Sequence, residues 1–356
     1  MPTKHRAVMI GAGGIARSWH GKFLPPFAER LQIAALVDVN REVLDTAADN
    51  LGVPAEARFT DMRDAFAAVP RLDVECCIIA IPPAFHKPAA LGAMEAGLAI
   101  LSEKPVADTW ESAVDIYRAA RRHGARMQII QNYRYNPNIV TLKSVLDSGR
   151  LGRIRYVVGR FAADYRRPLG WGAAFRHEIP HALLIEGAVH HFDQVRNLSG
   201  ADCATITGVD WLPAGADSFK GECVGLYVMR MTNGVMAQYE GTCLAAGRQQ
   251  TWYEELYRVE CEGGAVVTDS GAHVWIEEHS PDTGLKTEDV PLIQPEWPGH
   301  QAMIAQFGDW LDGGPTPPTV IDDNMRTTAM LFGAIEASVE NRVVDVSAKV
   351  AEAMAG

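Results

Sequence analysis

Between residues 177 and 193 seven side chains can titrate: His177, Glu178, His181, Glu186, His190, His191 and Asp193. They stand in a stretch otherwise rich in Ala, Leu and Gly. A helix over about residues 182–198, stopped at Gly200, puts Glu186 and His190 on one face, because side chains three and four residues apart are helical neighbours. Asp193 follows His190 one turn later, and His191 lies off that face. A carboxylate beside an imidazole can move protons, since an unperturbed imidazole titrates near neutrality. His177, His181, Glu186, His190 and Asp193 also include the donor types and i, i+4 spacing of a zinc or manganese site. No catalytic metal is expected, because Lys104 offers a cation that can stabilise an oxygen without one. His191 and Asp193 are expected to be structural.

The rest of the chain must position this cluster. Its 356 residues exceed what one hydrophobic core usually serves, so two domains are expected, at 1–132 and 133–356. A net charge of -11 repels phosphate backbones and anionic membranes, which argues against nucleic acid and membrane partners. Six scattered cysteines (Cys76, Cys77, Cys203, Cys223, Cys243 and Cys261) without a C-x-x-C pair suit a reducing cytoplasm. Residues 1–6 are polar with no apolar signal core, and no apolar run reaches the roughly 20 residues of a membrane span, so a cytoplasmic protein is expected.

The first half alternates apolar strands with helical spacing, the pattern of a parallel sheet with crossover helices. Residues 7–10 read as a buried strand, followed by Gly11-Ala12-Gly13-Gly14-Ile15-Ala16 and a helix to about residue 30. Gly11, Gly13 and Gly14 permit a tight turn and a close approach of backbone N–H groups to a pyrophosphate, while Ile15 and Ala16 open the helix. A second strand, 33–37, ends at Asp38, where a ribose 2'-hydroxyl would lie. That carboxylate favours NAD over NADP, although Arg41 nearby softens the preference. Strands are also read at 74–81, 99–103 and 127–131, with helices at 85–97 and 109–123. Ligands of such sheets sit at the strand carboxyl ends, which brings Pro82, Pro83, His86, Glu103 and Lys104 to the same crevice.

The second half reads differently. A helix at 138–148 and a long strand at 154–165 lead to a Gly- and Pro-bearing loop at 166–180. Residues 204–278 read as antiparallel sheet, with Asn233-Gly234 and Gly263-Gly264 as hairpin turns. An irregular segment follows at 281–299, and two helices, 301–311 and 322–340, finish the domain. The fold class is an α/β Rossmann domain followed by an α+β domain with a large, mostly antiparallel open sheet.

Ile81-Pro82-Pro83-Ala84-Phe85-His86, Ala96-Gly97, Glu103-Lys104-Pro105 and Asn132-Tyr133-Arg134-Tyr135-Asn136-Pro137 resemble the glucose-fructose oxidoreductase / inositol dehydrogenase (Gfo/Idh/MocA) family. The resemblance implies an NAD(P)-dependent dehydrogenase acting on a secondary hydroxyl of a sugar or cyclitol. It makes Lys104, Glu186 and His190 the catalytic group, and Glu186 departs from the aspartate more common at that position. It sets His86, Pro82 and Pro83 beside the cofactor, NAD or NADP. The substrate is expected against Arg134, Tyr165, Trp171, Arg176 and His177 besides the catalytic group, with aromatic faces on sugar C–H groups and polar neighbours on hydroxyls. Relatives commonly cover the open sheet by forming dimers or tetramers, so a homo-oligomer is expected. Two other readings of the same scaffold are a glycoside-cleaving enzyme that uses bound NAD for transient oxidation and elimination, and a non-catalytic sensor.

Overall fold

The computed structural model describes residues 4–269 and 273–355. Residues 1–3 of the polar N-terminal stretch, 270–272 within the expected sheet, and 356 lie outside them. The chain forms two compact units, which do not follow a single cut at residue 132. Residues 300–325 cluster with those up to 131, and 132–299 cluster with 326–355. Side-chain and backbone contacts explain the grouping. His5 reaches Asp312 at 3.0 Å, Arg30 pairs with Asp309 and Asp312 at 2.7 and 2.8 Å, and the backbone N–H of Ile129 donates to Thr319 at 2.9 Å.

The first unit holds a six-stranded parallel sheet of β1 (His5–Ile10), β2 (Leu31–Val37), β3 (Arg58–Phe59), β4 (Cys76–Ile79), β5 (Ala99–Ser102) and β6 (Met127–Ile129). Its order is β3-β2-β1-β4-β5-β6, so the direction of winding reverses between β1 and β4. That reversal opens the crevice where doubly wound sheets bind ligands. Ala7 to Ile10 and Cys76 to Ile79 are at most 2% exposed, as strands covered on both faces must be. Helix ends follow local chemistry. Asn40 caps Arg41–Leu51 by accepting from the N–H groups of Glu42 and Val43, and Thr109 caps Trp110–His123, which stops at left-handed Gly124.

The helix expected up to residue 30 is not a regular α-helix. One α-turn (Ala16–Ser18) passes into a π-helical stretch (Trp19–Phe23) and a 3-10 turn (Pro25–Phe27). Pro25 and Pro26 lack N–H donors and so cannot continue the hydrogen-bond ladder of an α-helix. The two-residue β3 was not foreseen, being too short to show a period.

The second unit carries a nine-stranded sheet: β7 (Ile154–Ala162), β8 (Cys203–Trp211), β9 (Val224–Met231), β10 (Met236–Thr242), β11 (Leu256–Cys261), β12 (Ala265–Asp269), β13 (His273–Ser280), β14 (Gly284–Asp289) and β15 (Val344–Asp345). The order is β14-β13-β12-β11-β7-β10-β9-β8-β15, antiparallel except where β7 pairs with β10. Gly234, at φ 88°, makes the β9–β10 hairpin at Asn233-Gly234. β14 falls in the segment read as irregular. All six of its residues are exposed at the sheet edge, so no burial period marks Gly-Leu-Lys-Thr-Glu-Asp as a strand. The chain also continues past residue 340 into β15 and a further helix, Val346–Met354, capped by Asp345. Among the described residues no helix is long and apolar enough to cross a membrane.

Candidate active site

In the first unit the sequence-derived residues collect at the carboxyl ends of the strands. Gly11 leaves β1 at φ 106°, and a Cβ there would lie 2.3 Å from the carbonyl oxygen of Ala80 on the neighbouring strand end. Only glycine fits. A Cβ on Gly13 would meet nothing closer than 3.7 Å, and one on Gly14 nothing within 4 Å, so the outer side of this loop is open for a bulky anion. Ile15 caps the short turn begun by Ala16. Asp38 lies just past β2, and one oxygen of its carboxylate accepts the N–H groups of Ala12 and Gly13 at 2.9 and 3.2 Å. The other accepts Asn40 N–H at 2.9 Å. A carboxylate therefore sits against the glycine loop, which suits ribose hydroxyls and opposes a 2'-phosphate.

Pro82 and Pro83 follow β4, and His86 begins the next helix. The buried His86 ring contacts the carbonyl oxygen of Pro105 through Nδ1 at 2.8 Å and that of Ile81 through Nε2 at 2.9 Å. It thus ties the loop after β4 to the loop after β5. Lys104 is half-buried on the second of these loops, and its peptide bond to Pro105 is cis. Glu103 points inward. Its Oε1 accepts the Trp19 indole N–H at 2.8 Å and lies 3.2 Å from Nε2 of His300. Burial alone would raise this carboxyl, but the His300 hydrogen bond and charge, the Lys104 charge and the indole together hold it down to about 2. Trp19 and His300 were not foreseen, because nothing in their local sequence points to residue 103.

In the second unit the cluster helix begins as a π-helix, Leu183–Ala188, and continues as an α-helix, Val189–Ser199, ending at left-handed Gly200. The expectation of an α-helix throughout is corrected for the turn that bears Glu186. π-helical turns are rare and are frequently found at functional sites. Glu186, 3% exposed, accepts a hydrogen bond from Nε of Arg176 at 2.8 Å, and Nη1 of Arg176 donates to the Trp171 carbonyl oxygen at 3.1 Å. The two belong to one ion pair, which sequence reading had named only as separate residues. His190 is buried with its ring stacked on Tyr133, centroids 4.3 Å apart and planes 9° apart, and Trp252 lies edge-on at 6.2 Å. Burial pushes the Tyr133 phenol well above its usual range. Tyr133 and Trp252 were missed as site residues. Tyr133 belongs to the quoted Asn132-to-Pro137 motif, and that was the available signal.

Several other residues are engaged within the protein. Arg134 grips Asp193 through two hydrogen bonds, at 2.7 and 2.6 Å, and Thr327 also donates to Asp193 at 2.9 Å. His177 accepts Trp171 N–H at Nε2, 3.1 Å, so the proton of its neutral ring is on Nδ1, which donates to the Ser218 carbonyl at 2.8 Å. Trp171 stacks on Tyr165 at 5.1 Å and on Trp252 at 6.0 Å, and burial pushes the Tyr165 phenol up to about 12. Trp171, Tyr165 and His177 are each no more than 9% exposed, so in this unit they form an aromatic layer and a loop brace. His191 is buried, with Nδ1 2.8 Å from the Tyr239 hydroxyl. Among the histidines and acids weighed as metal ligands, His181 alone joins a group of converging donors, and its companions are Asp210 and Glu222.

The chain is similar to known proteins at several levels. Residues 5–131 match the oxidoreductase family with an NAD-binding Rossmann fold, and residues 139–273 match the GFO/IDH/MocA C-terminal domain. An uncharacterized protein of Sinorhizobium fredii, y4oX, is 36% identical over 342 residues, 93% of each chain. Inositol 2-dehydrogenase of Corynebacterium glutamicum is 26% identical over 243 residues, 67% of each chain. A structure of an oxidoreductase from Agrobacterium radiobacter in complex with NAD+, L-tartaric acid and magnesium superposes with a TM-score of 0.83 at 22% identity, covering 97% of this chain and 99% of that one, a likeness of fold. Matches to both domains and a relative aligned over nearly the whole length agree with the strand-end glycine loop and the Glu-Lys-Pro turn, and the chain belongs to the Gfo/Idh/MocA family of NAD-binding oxidoreductases.

Proposed function

We propose that the protein is a cytoplasmic dehydrogenase that oxidises a secondary hydroxyl of a sugar, sugar derivative or cyclitol, using NAD in preference to NADP. The observation that carries this reading is the imidazole of His190, buried and held flat against Tyr133 one helical turn after the Glu186–Arg176 ion pair. Stacking on Tyr133, with Trp252 edge-on, leaves the ring little rotational freedom, so a ring nitrogen can take a hydroxyl proton without first having to be oriented. Lys104, on the Glu-Lys-Pro turn, offers an ammonium that can stabilise negative charge on an oxygen as a proton leaves it. The Arg176 guanidinium donates a hydrogen bond to the Glu186 carboxylate and orients it. A bound nicotinamide supplies the hydride acceptor. Asp38 at the glycine loop favours the cofactor without a 2'-phosphate. The inositol 2-dehydrogenase similarity supports a polyhydroxylated substrate. Six reduced, buried cysteines suit a cytoplasmic setting.

The test is a screen of the purified protein with NAD and NADP against inositols, aldoses, aldonates and glycosides, following reduced cofactor by its absorbance. For any substrate found, Lys104→Met and His190→Asn should each lower turnover by roughly 10²–10⁴-fold while NAD binding persists. Turnover unchanged in both variants would reject the assignment, and product formation without net reduced cofactor would point instead to oxidation followed by elimination.

A further inference from the structure

Outside the site just described, His181, Asp210 and Glu222 bring three metal-binding atoms from three separate segments within 4.8 Å of one another. His181 precedes the π-helix that bears Glu186, Asp210 lies on β8, and Glu222 lies just before β9. Nδ1 of His181 is 2.8 Å from Oδ2 of Asp210 and 3.5 Å from Oε2 of Glu222. One ring nitrogen thus faces two carboxylates and can give a proton to only one of them. Even with the ring protonated, the three side chains keep a net negative charge, and the Asp210 side chain is completely buried. Arms of 2.0–2.1 Å around a tetrahedral ion separate its ligands by about 3.3 Å, and the two distances bracket that value. The supporting contacts fit as well. Tyr227 donates its hydroxyl to Oδ1 of Asp210 at 3.2 Å, leaving Oδ2 for an ion, and His181 N–H donates to Oε2 of Glu222 at 2.8 Å. The His181 and Glu222 side chains are 18% and 33% exposed, so an ion and its water can approach.

We propose that His181, Asp210 and Glu222 form a binding site for a divalent cation of the zinc class, held by one imidazole and two carboxylates and completed by water. The mixed nitrogen and oxygen donors select zinc over magnesium, which prefers oxygen alone in an octahedron. The ion fastens the segment leading into the π-helix to the end of β8 and the start of β9. It has no part in hydride transfer, and it stands whether or not the proposed dehydrogenase activity does.

The test uses the full chain, dialysed against a chelator and then titrated with zinc chloride by calorimetry, with magnesium chloride as control. One zinc should bind per chain, the melting temperature should rise with zinc concentration, and magnesium at the same concentration should do neither. Glu222→Gln, half-exposed and safe for folding, should weaken zinc by at least about ten-fold, and His181→Ala should abolish saturable binding. The absence of saturable zinc binding to the wild-type chain, or equal affinity in all three proteins, overturns the proposal.

Discussion

A lone carboxyl buried at position 103 would be pushed toward neutrality. Glu103 is instead held down to about 2 by His300, Lys104 and the Trp19 indole. Its folded-state value lies below the ordinary 4.5, so its stabilising effect is fully present above about pH 4.5 and is lost as the pH falls from there toward 2. The depression corresponds to something on the order of 3 kcal/mol. Glu103→Gln should therefore lower stability at neutral pH and flatten the acid limb between about pH 4.5 and 2, measured as urea midpoints. Parallel limbs in variant and wild type would show that the charge on Glu103 is not linked to folding. The Glu186–Arg176 pair poses a related question one residue at a time. The Glu186 carboxylate, one methylene further out than the aspartate the resemblance implies at this position, meets a guanidinium 2.8 Å away.

At the scale of elements, the strand-to-helix turn after β1 separates two reasons for glycine. Gly11 is needed for the fold, because φ 106° and a Cβ 2.3 Å from the Ala80 carbonyl are both forbidden to alanine. Gly13 has room for a methyl in the protein alone, and we propose that a bound cofactor is what would exclude one. Gly11→Ala should destabilise by more than the roughly 1–3 kcal/mol of backbone strain, read by thermal unfolding. Gly13→Ala should stay within about 0.5 kcal/mol of wild-type stability yet bind NAD at least ten-fold more weakly, read by calorimetry. Equal loss of stability in the two would refute this division. The π-helical turn at Leu183–Ala188 belongs to the same scale, since its wider winding, rather than the i, i+4 rule of an α-helix, sets how Glu186 is presented to Arg176.

For the whole molecule, the nine-stranded sheet leaves one face with apolar side chains in the open. Val209, Leu226, Val228 and Tyr156 are 44–46% exposed, and Val209 pairs directly with Leu226 across β8 and β9. Exposed apolar rows of this kind mark association surfaces. We propose that a second copy of the chain covers them in a homodimer or homotetramer. Leu226→Glu combined with Val228→Glu should yield a folded monomer by sedimentation velocity. A wild-type monomer at micromolar concentration would rule the association out.

The sequence by itself determined the alternating first domain, the glycine loop with Asp38, the Glu-Lys-Pro turn, and the cluster that holds Glu186 and His190. Each depends on local signals: continuous apolar runs, helix caps, left-handed glycines, and short motifs. Only the tertiary structure decided what those residues touch. It joined residues 300–325 to the first unit through His5, Arg30 and Glu103, paired Arg176 with Glu186, stacked Tyr133 on His190, and turned His177 and Arg134 toward Ser218 and Asp193. These contacts lie on separate elements or depend on how a loop folds back, and no period or spacing encodes them. The same reason separates the histidines of the opening cluster. Spacing separates His190 from His191 by helix face but not by partner, and the fold gives His177 a backbone brace, His181 two carboxylates, His190 an aromatic face and His191 a tyrosine hydroxyl.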